Sequence, residues 1–131
     1  MLGSFEIPAC AKDVEVQNFI NGEWVAPISG AYLKNYDPST GREAALIPDS
    51  TAADVNNAVL AAKNAFSGWS STPAVERAAI LNRIADMIDE NSNILAILES
   101  QDQGKPIASA ATFDIPECSL FFRQYARYAI E

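Results

Sequence analysis

The chain is organised around a stretch that opens with Thr72-Pro73-Ala74-Val75-Glu76-Arg77 and closes with Gly104-Lys105-Pro106. Between these ends, apolar residues recur at the spacing of one helical face: Ile80, Leu81, Ile84, Ile88, Leu95 and Leu98. Pro73 suits the first helical position, and Gly104 followed by Pro106 is typical of a helix end. The pattern predicts one long central helix, whose apolar face other elements must cover.

The composition is that of a globular chain with an acidic balance. Of the 131 residues, 49% are hydrophobic and 20% are charged, and 17 acidic against 9 basic side chains give a net charge of −8. Nucleic acids and anionic membrane surfaces are not expected as partners, because both attract clustered lysine and arginine. No apolar run approaches the length of a membrane span.

The N-terminal region carries no targeting pattern. Residues 1–17 show no clear period and are predicted to form an arm. They lack the features of a signal peptide or a mitochondrial presequence. The two cysteines, Cys10 and Cys118, lie far apart and match neither a disulfide framework nor a zinc spacing. We therefore expect a cytoplasmic protein.

Strand signals fill the first part of the chain. Asn21-Gly22, between β-prone residues, predicts a hairpin over residues 18–25. Two further strands are predicted at Tyr32–Tyr36 and at residues 43–47. Asp37-Pro38-Ser39-Thr40-Gly41, which lies between them, has the composition of a tight turn.

Helix signals follow. Thr51 with Asp54 three residues later predicts a helix start, and we expect this alanine-rich helix to end at Gly68, with Trp69 packed over its end. Asp114 is expected to cap a third helix. That helix carries an apolar stripe of Cys118, Phe121, Phe122, Tyr125, Ala126 and Ala129. It reaches Glu131 without an end signal, so we expect further chain to follow. The visible fold class is α+β: a short hairpin and strand region followed by three helices.

Candidate catalytic groups are sparse. The sequence has no histidine, which excludes Ser-His-Asp and Cys-His catalysis, and its six glycines are isolated, which excludes a phosphate-binding loop. Cys118 lies in an apolar helical pattern, so we interpret it as a buried packing residue rather than a nucleophile.

Other polar and aromatic residues have structural interpretations. Asp86, Asp89 and Glu90 are expected on a solvated helix face, paired with Arg83. Lys105 is expected to be a solvated cation at a helix end rather than an anion site. The remaining candidates are aromatic, and we expect them in the core rather than in a ligand cage: Trp24, Trp69 and the pair Phe121-Phe122.

Five motifs occur in the order of a known family: Phe19-Ile20-Asn21-Gly22-Glu23-Trp24, Tyr36-Asp37-Pro38-Ser39-Thr40-Gly41, Asp54 to Phe66 with Trp69, Arg77 with Leu81, Ile84 and Ala85, and Glu99 with Gly104-Lys105-Pro106. Together they resemble the N-terminal region of the aldehyde dehydrogenase superfamily over residues 18–131. Three further stretches resemble the branch that oxidises 2-aminomuconic or 2-hydroxymuconic semialdehyde: residues 100–105, Phe113-Asp114-Ile115-Pro116 and Phe121-Phe122.

The resemblance implies an α/β fold of the aldehyde dehydrogenase type, of which residues 18–131 form the N-terminal part of the coenzyme-binding domain, incomplete at its C-terminus. It implies NAD or NADP as coenzyme, a small-molecule aldehyde as substrate, and a homo-oligomer at full length. In the family a cysteine attacks the aldehyde, hydride passes to the nicotinamide, and a glutamate activates the water that releases the acid. All of these groups lie further along the family's chain, so no catalytic or coenzyme-binding residue is expected here.

One family site is implied for this chain. Some members bind a structural monovalent cation through the carbonyl before the turn and the aspartate before the helix exit, which correspond here to Tyr36 and Asp102. An alternative interpretation is that Asp102 only caps a turn.

Two functional hypotheses follow from the sequence. In the first, the chain is the N-terminal portion of an aldehyde dehydrogenase and lacks the catalytic residues. In the alternative, it is a short non-catalytic module that binds full-length subunits of the family.

Overall fold

The structure is a computed structural model that describes residues 14–131; residues 1–13, which include Cys10 and most of the predicted arm, lie outside the described residues. The elements are β1 (Asn18–Ile20), β2 (Glu23–Val25), β3 (Tyr32–Tyr36), β4 (Glu43–Pro48), α1 (Ala52–Ser71), α2 (Ala74–Glu90), α3 (Ser92–Gln103), α4 (Ile107–Ser109), a π-helical turn (Ala110–Asp114) and α5 (Ile115–Tyr128). Strands come first and helices follow, which confirms the predicted α+β arrangement.

The described residues divide into two compact units at Ser71 and Thr72. The first, here called the strand unit, contains β1 to β4 and α1. The second, the helical unit, contains α2 to α5. The predicted domain limits at residues 17 and 18 stay a prediction.

The first hairpin confirms its turn signal. Asn21 and Gly22 have φ angles of 55° and 83°, the positive values that a two-residue type I′ turn requires. The turn sets an antiparallel register in which Phe19 lies opposite Trp24, with ring centroids 4.9 Å apart. This pair stabilises the hairpin through ring contact across the strands.

The second hairpin joins β3 to β4 through the turn at Asp37. One carboxylate oxygen of Asp37 accepts hydrogen bonds from the Ser39 amide and hydroxyl at 2.7 and 2.6 Å, and the other accepts one from the Thr40 hydroxyl at 2.9 Å. These bonds, those from Ser39 foremost, lower the pKa of Asp37. The predicted tight turn is confirmed, and its acid is nearly fully buried.

The last residues of the predicted arm take part in the second sheet. The Val16 amide donates to the Leu46 carbonyl at 2.8 Å, and the Leu46 amide donates to the Val14 carbonyl at 2.9 Å. Glu15 thereby forms a parallel bridge beside β4.

Asp54 fixes both the start of α1 and the loop before β3. One oxygen accepts the Thr51 amide and hydroxyl at 2.7 and 2.8 Å, which confirms the predicted helix start. The other accepts the Ile28 amide at 2.9 Å, a contact that no local pattern indicated. Hydrogen bonds from the Ile28 and Thr51 amides lower the pKa of Asp54, which is 4% exposed.

The predicted end of α1 is wrong. The helix continues through Gly68 to Ser71, and Trp69 lies within it, 46% exposed, rather than packed over its end. Glycine inside a helix costs about 1 kcal/mol relative to alanine, which does not suffice to end it. The Ser71 hydroxyl donates to the Ser67 carbonyl at 2.8 Å in the last turn.

The prediction of a single long central helix is also wrong, because this stretch divides at Asn91 into the two helices α2 and α3. Asn91 has φ −108° and ψ 15°, and its side-chain amide donates to the Met87 carbonyl at 2.8 Å. Asparagine competes in this way with the regular helical hydrogen bonds. The predicted stop at Gly104 is confirmed, with φ 74° and its amide bonded to the Ser100 carbonyl.

Small residues form the centre of the helical unit. Ala96 and Ala110 are fully buried beside Ile115, which is 8% exposed, and Ile88, Leu95 and Ala111 pack against these three residues. The apolar face predicted for the central helix was too wide, because two of its residues, Ile80 and Leu98, are 46% and 52% exposed. Alanine contacts let helix backbones approach closely, which turns larger neighbours outward.

We expect Ala85→Leu to destabilise the chain by about 1–3 kcal/mol, because Ala85 on α2 is fully buried and a larger side chain overpacks the helical unit. The measurement is urea unfolding followed by circular dichroism. Ala79→Leu, at an exposed position of the same helix, should stay within about 0.5 kcal/mol of the wild type. Equal losses in the two variants would contradict the packing described for α2.

We expect Asp54 to make stability dependent on acid pH. Its pKa is lower in the folded than in the unfolded state, so the ionised carboxylate favours folding. This stabilisation is complete at neutral pH and is lost as the pH falls below about 4, through the folded-state pKa.

Unfolding curves between pH 7 and pH 2 check this prediction. Asp54→Asn, which does not titrate, should be less stable than wild type at pH 7 and should lose less stability on acidification. An unchanged slope in Asp54→Asn would exclude Asp54 as a source of the acid sensitivity. Asp49→Asn, on the exposed end of the preceding loop, is the matched control.

Candidate functional site

Lys105 is the centre of a polar cluster in the helical unit. Its ammonium lies 3.0 Å from Glu99 and 2.9 Å from Asp114, and the three side chains are 27–30% exposed. The bonds to Asp114 and then Glu99 raise the pKa of Lys105. The prediction of a solvated cation is therefore wrong, because two carboxylates from different turns converge on it.

Asp114 does not cap α5 as predicted. Its φ and ψ of −63° and −49° are helical, and it ends a π-helical turn that runs directly into α5. Its carboxylate bonds to Lys105 instead of to the helix start. A long-range ion pair thus replaces the local cap that the sequence pattern favoured.

Asp86 and Asp89 are held by an arginine from another helix. The guanidinium of Arg123 on α5 donates to Asp86 at 2.7 Å and also to Asp89. The prediction that Arg83 pairs with these two acids is therefore wrong. Helices α2 and α5 pack together, which brings Arg123 to Asp86 and Asp89. The paired carboxylates join two helices and are not arranged as a general acid and base.

Cys118 is exposed, and the prediction that it is buried is wrong. The buried face of α5 carries Ile115, Ser119 and Ala126, which places Cys118 on the other face with Phe121 and Tyr125. Phe121 and Tyr125 are 52% and 62% exposed. The predicted stripe is correct at Ala126, which is buried, and at Phe122, which is half-buried. It is wrong at Cys118, Phe121 and Tyr125, which are exposed.

The core assignment of the tryptophans is likewise wrong. Trp24 and Trp69 are 67% and 46% exposed, and the ring contact of Trp24 is with Phe19 across the hairpin. Large apolar residues are exposed throughout the strand unit, including Val55, Val59 and Phe66. Such exposure marks surfaces that proteins use for contacts.

One cavity of about 170 Å³ lies between β1 and the start of α1. Its lining residues are Asn18, Phe19, Ile20, Ser50, Asp54, Val55 and Ala58. The side-chain oxygen Oδ1 of Asn18 accepts a hydrogen bond from the Ser50 hydroxyl at 3.0 Å, while its buried side-chain nitrogen Nδ2 has no partner among the described residues. Both carboxylate oxygens of Asp54 already accept hydrogen bonds within the chain. The cavity therefore offers one unpartnered donor, the side-chain nitrogen of Asn18, and no unpartnered acid or base.

The two residues implied for a cation lie in different units. Tyr36 is the last residue of β3, immediately before the Asp37 turn, and Asp102 lies in the last turn of α3. Within residues 14–131 there is no group of three His, Cys, Asp or Glu side chains that could hold a metal ion. The pairing of Tyr36 with Asp102 stays a prediction.

Comparison with known proteins decides the family. The sequence profile of the aldehyde dehydrogenase family matches residues 24–131. The chain belongs to the aldehyde dehydrogenase family. The predicted resemblance is thereby confirmed. None of the helices described for this family member is long and apolar enough to cross a membrane.

Relatives of known sequence and structure support the assignment. A probable aldehyde dehydrogenase of Mycobacterium tuberculosis is 49% identical over 110 residues, which are 84% of this chain and 22% of the relative. The 2-aminomuconic semialdehyde dehydrogenase of Mus musculus is 41% identical over 111 residues, 85% of this chain and 22% of the relative. An NAD⁺ complex of a Bacillus cereus aldehyde dehydrogenase is 36% identical with a TM-score of 0.84, over 87% of this chain and 24% of that chain.

The aldehyde dehydrogenase segment described here therefore spans about a fifth of the length of these relatives. Sequence patterns located the turns at Asn21-Gly22 and Asp37 and the start of α1. They missed the polar clusters at Lys105 and Arg123, because each joins residues from separate helices. For the cluster at Lys105, the only local signal was that Glu99 and Lys105 lie on either side of a predicted helix end.

We expect Lys105→Met to loosen the turn that precedes α5. The change leaves Glu99 and Asp114 facing each other without a cation, and the turn over Ala110–Asp114 loses its anchor. Amide hydrogen exchange over residues 107–114 should become about tenfold faster or more.

Lys63→Met, at an exposed lysine of α1, is the matched control and should leave exchange at residues 107–114 unchanged. Lys105→Arg keeps the charge and should retain most of the protection. If Lys105→Met and Lys63→Met exchanged alike, the anchoring role of Lys105 would be refuted.

Proposed function

We propose that this chain is the N-terminal portion of an NAD(P)-dependent aldehyde dehydrogenase that oxidises an aldehyde to a carboxylic acid. The observation that carries the proposal is the family match over residues 24–131. A TM-score of 0.84 to an aldehyde dehydrogenase in its NAD⁺ complex supports the same conclusion from the fold. The role of the chain in that enzyme is structural: it supplies a hairpin and helices.

We propose that the dinucleotide is bound by residues outside this chain, and two observations support this. The glycines with positive φ, Gly22, Gly30, Gly41 and Gly104, lie in separate turns. The cavity of about 170 Å³ is smaller than the usual ligand pocket of about 300–1,000 Å³. We therefore place the contacts to NAD or NADP, and the catalytic cysteine and glutamate, in the part of the family's length that this chain does not contain.

We propose an aldehyde as the substrate class and a muconic semialdehyde as a specific candidate. The mouse relative that carries the name 2-aminomuconic semialdehyde dehydrogenase supports the candidate at 41% identity. That identity is confined to 22% of the relative. A panel of aldehydes with and without a carboxylate, offered to the complete enzyme, tests the specificity.

We propose further that the complete protein is a cytoplasmic homo-oligomer. We also propose that Tyr36, through its main-chain carbonyl, and Asp102 contribute to a structural site for a monovalent cation in that protein. The support is the position of Tyr36 before a rigid turn and of Asp102 at a helix end. Melting of the complete enzyme in sodium, potassium and choline chloride, with and without Asp102→Asn, tests the site.

The second candidate function is a non-catalytic module that binds subunits of the family. The observation that favours it is the exposed apolar surface of both units, with 24 large apolar side chains exposed among the described residues. Co-purification with a tagged full-length family member tests this role.

We expect the pure 131-residue chain to show no aldehyde-dependent reduction of NAD⁺ or NADP⁺. The reason is that the groups required for hydride transfer lie outside it. The measurement is absorbance of the reduced coenzyme with several aldehydes, and a family enzyme of full length serves as the positive control. Turnover by the isolated chain would refute the proposal that the catalytic groups lie outside it.

A further inference from the structure

The turn of the first hairpin contains the one asparagine of the sequence that is followed by a glycine, Asn21 before Gly22. Both residues are exposed. Among residues 14–131, Asn21 is also the only non-glycine residue with a positive φ, 55°. The hairpin therefore presents this asparagine side chain to water, next to a glycine, in a defined backbone conformation.

The backbone nitrogen of Gly22 is accessible to the side chain of Asn21. The register pairs Ile20 with Glu23, so the hydrogen bonds that close the hairpin belong to those two residues and leave the Gly22 amide outside the ladder. A β-carbon at Gly22 would meet no atom within 4 Å in the described part of the chain, apart from its two chain neighbours. The space around this nitrogen is thus open.

The asparagines inside helices lack such an accessible neighbour. Within an α-helix the amide of the following residue donates to the carbonyl four residues earlier, so its nitrogen is already engaged. Asn64 in α1 and Asn82 in α2 are both exposed and lie in this setting. They are internal controls, because their side chains have the same chemistry as that of Asn21.

We propose that Asn21 is a site of spontaneous deamidation in the folded chain, and that its isoaspartate product opens the first hairpin. The Gly22 nitrogen loses its proton to hydroxide and bonds to Cγ of Asn21. The Cγ–Nδ2 bond then breaks, and Nδ2 takes a proton from water and leaves as ammonia. A succinimide ring remains, and water is the only co-reactant that the chemistry requires.

Water opens this ring in two ways, with different consequences for the hairpin. Addition at Cγ gives aspartate with an unaltered backbone, and Asp-Gly suits a type I′ turn as Asn-Gly does. Addition at the main-chain carbonyl carbon gives isoaspartate, in which the backbone runs through the β-carbon and is one carbon longer. Because loop length selects the turn and the turn sets the register, isoaspartate separates Phe19 from Trp24, whose ring centroids lie 4.9 Å apart.

The first test is the rate of deamidation at each asparagine. The chain is incubated at neutral and at mildly alkaline pH, and peptide mapping by mass spectrometry measures conversion at Asn21, Asn64 and Asn82 against an unincubated sample. Asn21 should convert about tenfold faster or more than either helical asparagine, because only Asn21 precedes a conformationally permissive glycine with a free amide. The rate should rise with pH, because the Gly22 nitrogen must lose its proton before it attacks.

A synthetic peptide of residues 17–26 separates the effect of the fold from that of the dipeptide. Asn21 in the folded chain should convert at a rate within about tenfold of that in the peptide, because the turn leaves the reacting groups within reach of each other. A slower rate would mean that the turn holds Cγ away from the Gly22 nitrogen, and it would overturn the proposal. Equal rates at Asn21 and at the helical asparagines would overturn it as well.

The second test is the state of the hairpin. Asn21→Asp reproduces one product, and Asn21→Gly cannot deamidate although Gly-Gly still suits the turn. Both variants should show a nuclear Overhauser effect between the rings of Phe19 and Trp24. Incubated wild type should lose this signal in proportion to its isoaspartate content, whereas incubated Asn21→Gly should keep it.

Enzymatic repair provides the matching rescue. A protein isoaspartyl methyltransferase with S-adenosylmethionine returns isoaspartate to the succinimide, from which part of the chain hydrolyses to aspartate. This treatment should restore the contact between Phe19 and Trp24 in incubated wild type. Retention of the contact in the isoaspartate form, or its loss in incubated Asn21→Gly, would overturn the proposed effect on the hairpin.

Discussion

The helices of this chain bury alanine and expose larger apolar side chains, and this imbalance governs the rest of the structure. Ala85, Ala96 and Ala110 are fully buried, whereas Phe66 and Tyr125 are more than 60% exposed. No large side chain among the described residues is fully buried. Burial of large apolar groups is the main source of folding free energy. Because such burial is limited here, the polar contacts have a large part in holding the elements in their arrangement.

Those polar contacts tie elements together at a few points. Asp54 joins the loop at Ile28 to the start of α1. Lys105 joins the end of α3 to the turn before α5, and Arg123 joins α5 to α2. Each is a charged group with two or more partners, and such charge-assisted networks define geometry even where their net contribution to stability is small.

The same imbalance bears on function. A family segment that exposes its apolar faces has the properties of one layer of a larger fold, because layers of secondary structure bury their apolar faces against each other. In the proposed function, aldehyde oxidation belongs to the complete protein, in which this segment holds neighbouring elements in place.

The sequence by itself determined the local features of this protein. Asn21-Gly22, the Asp37 turn, the Thr51 and Asp54 helix start and the stop at Gly104 were all predictable, because each depends on residues within a few positions of one another. The order of the five motifs also determined the family.

Only the tertiary structure decided which faces are buried and which charges pair. The predicted stripe of α5 contained both Ala126 and Tyr125, and the packing of α5 against α2 decides that Ala126 is buried and Tyr125 is exposed. Asp114 bonds to Lys105 instead of capping α5, because a cation nine residues away lies within reach once the chain has folded. Local patterns carry no information on such contacts, since the partners meet only when the helices pack.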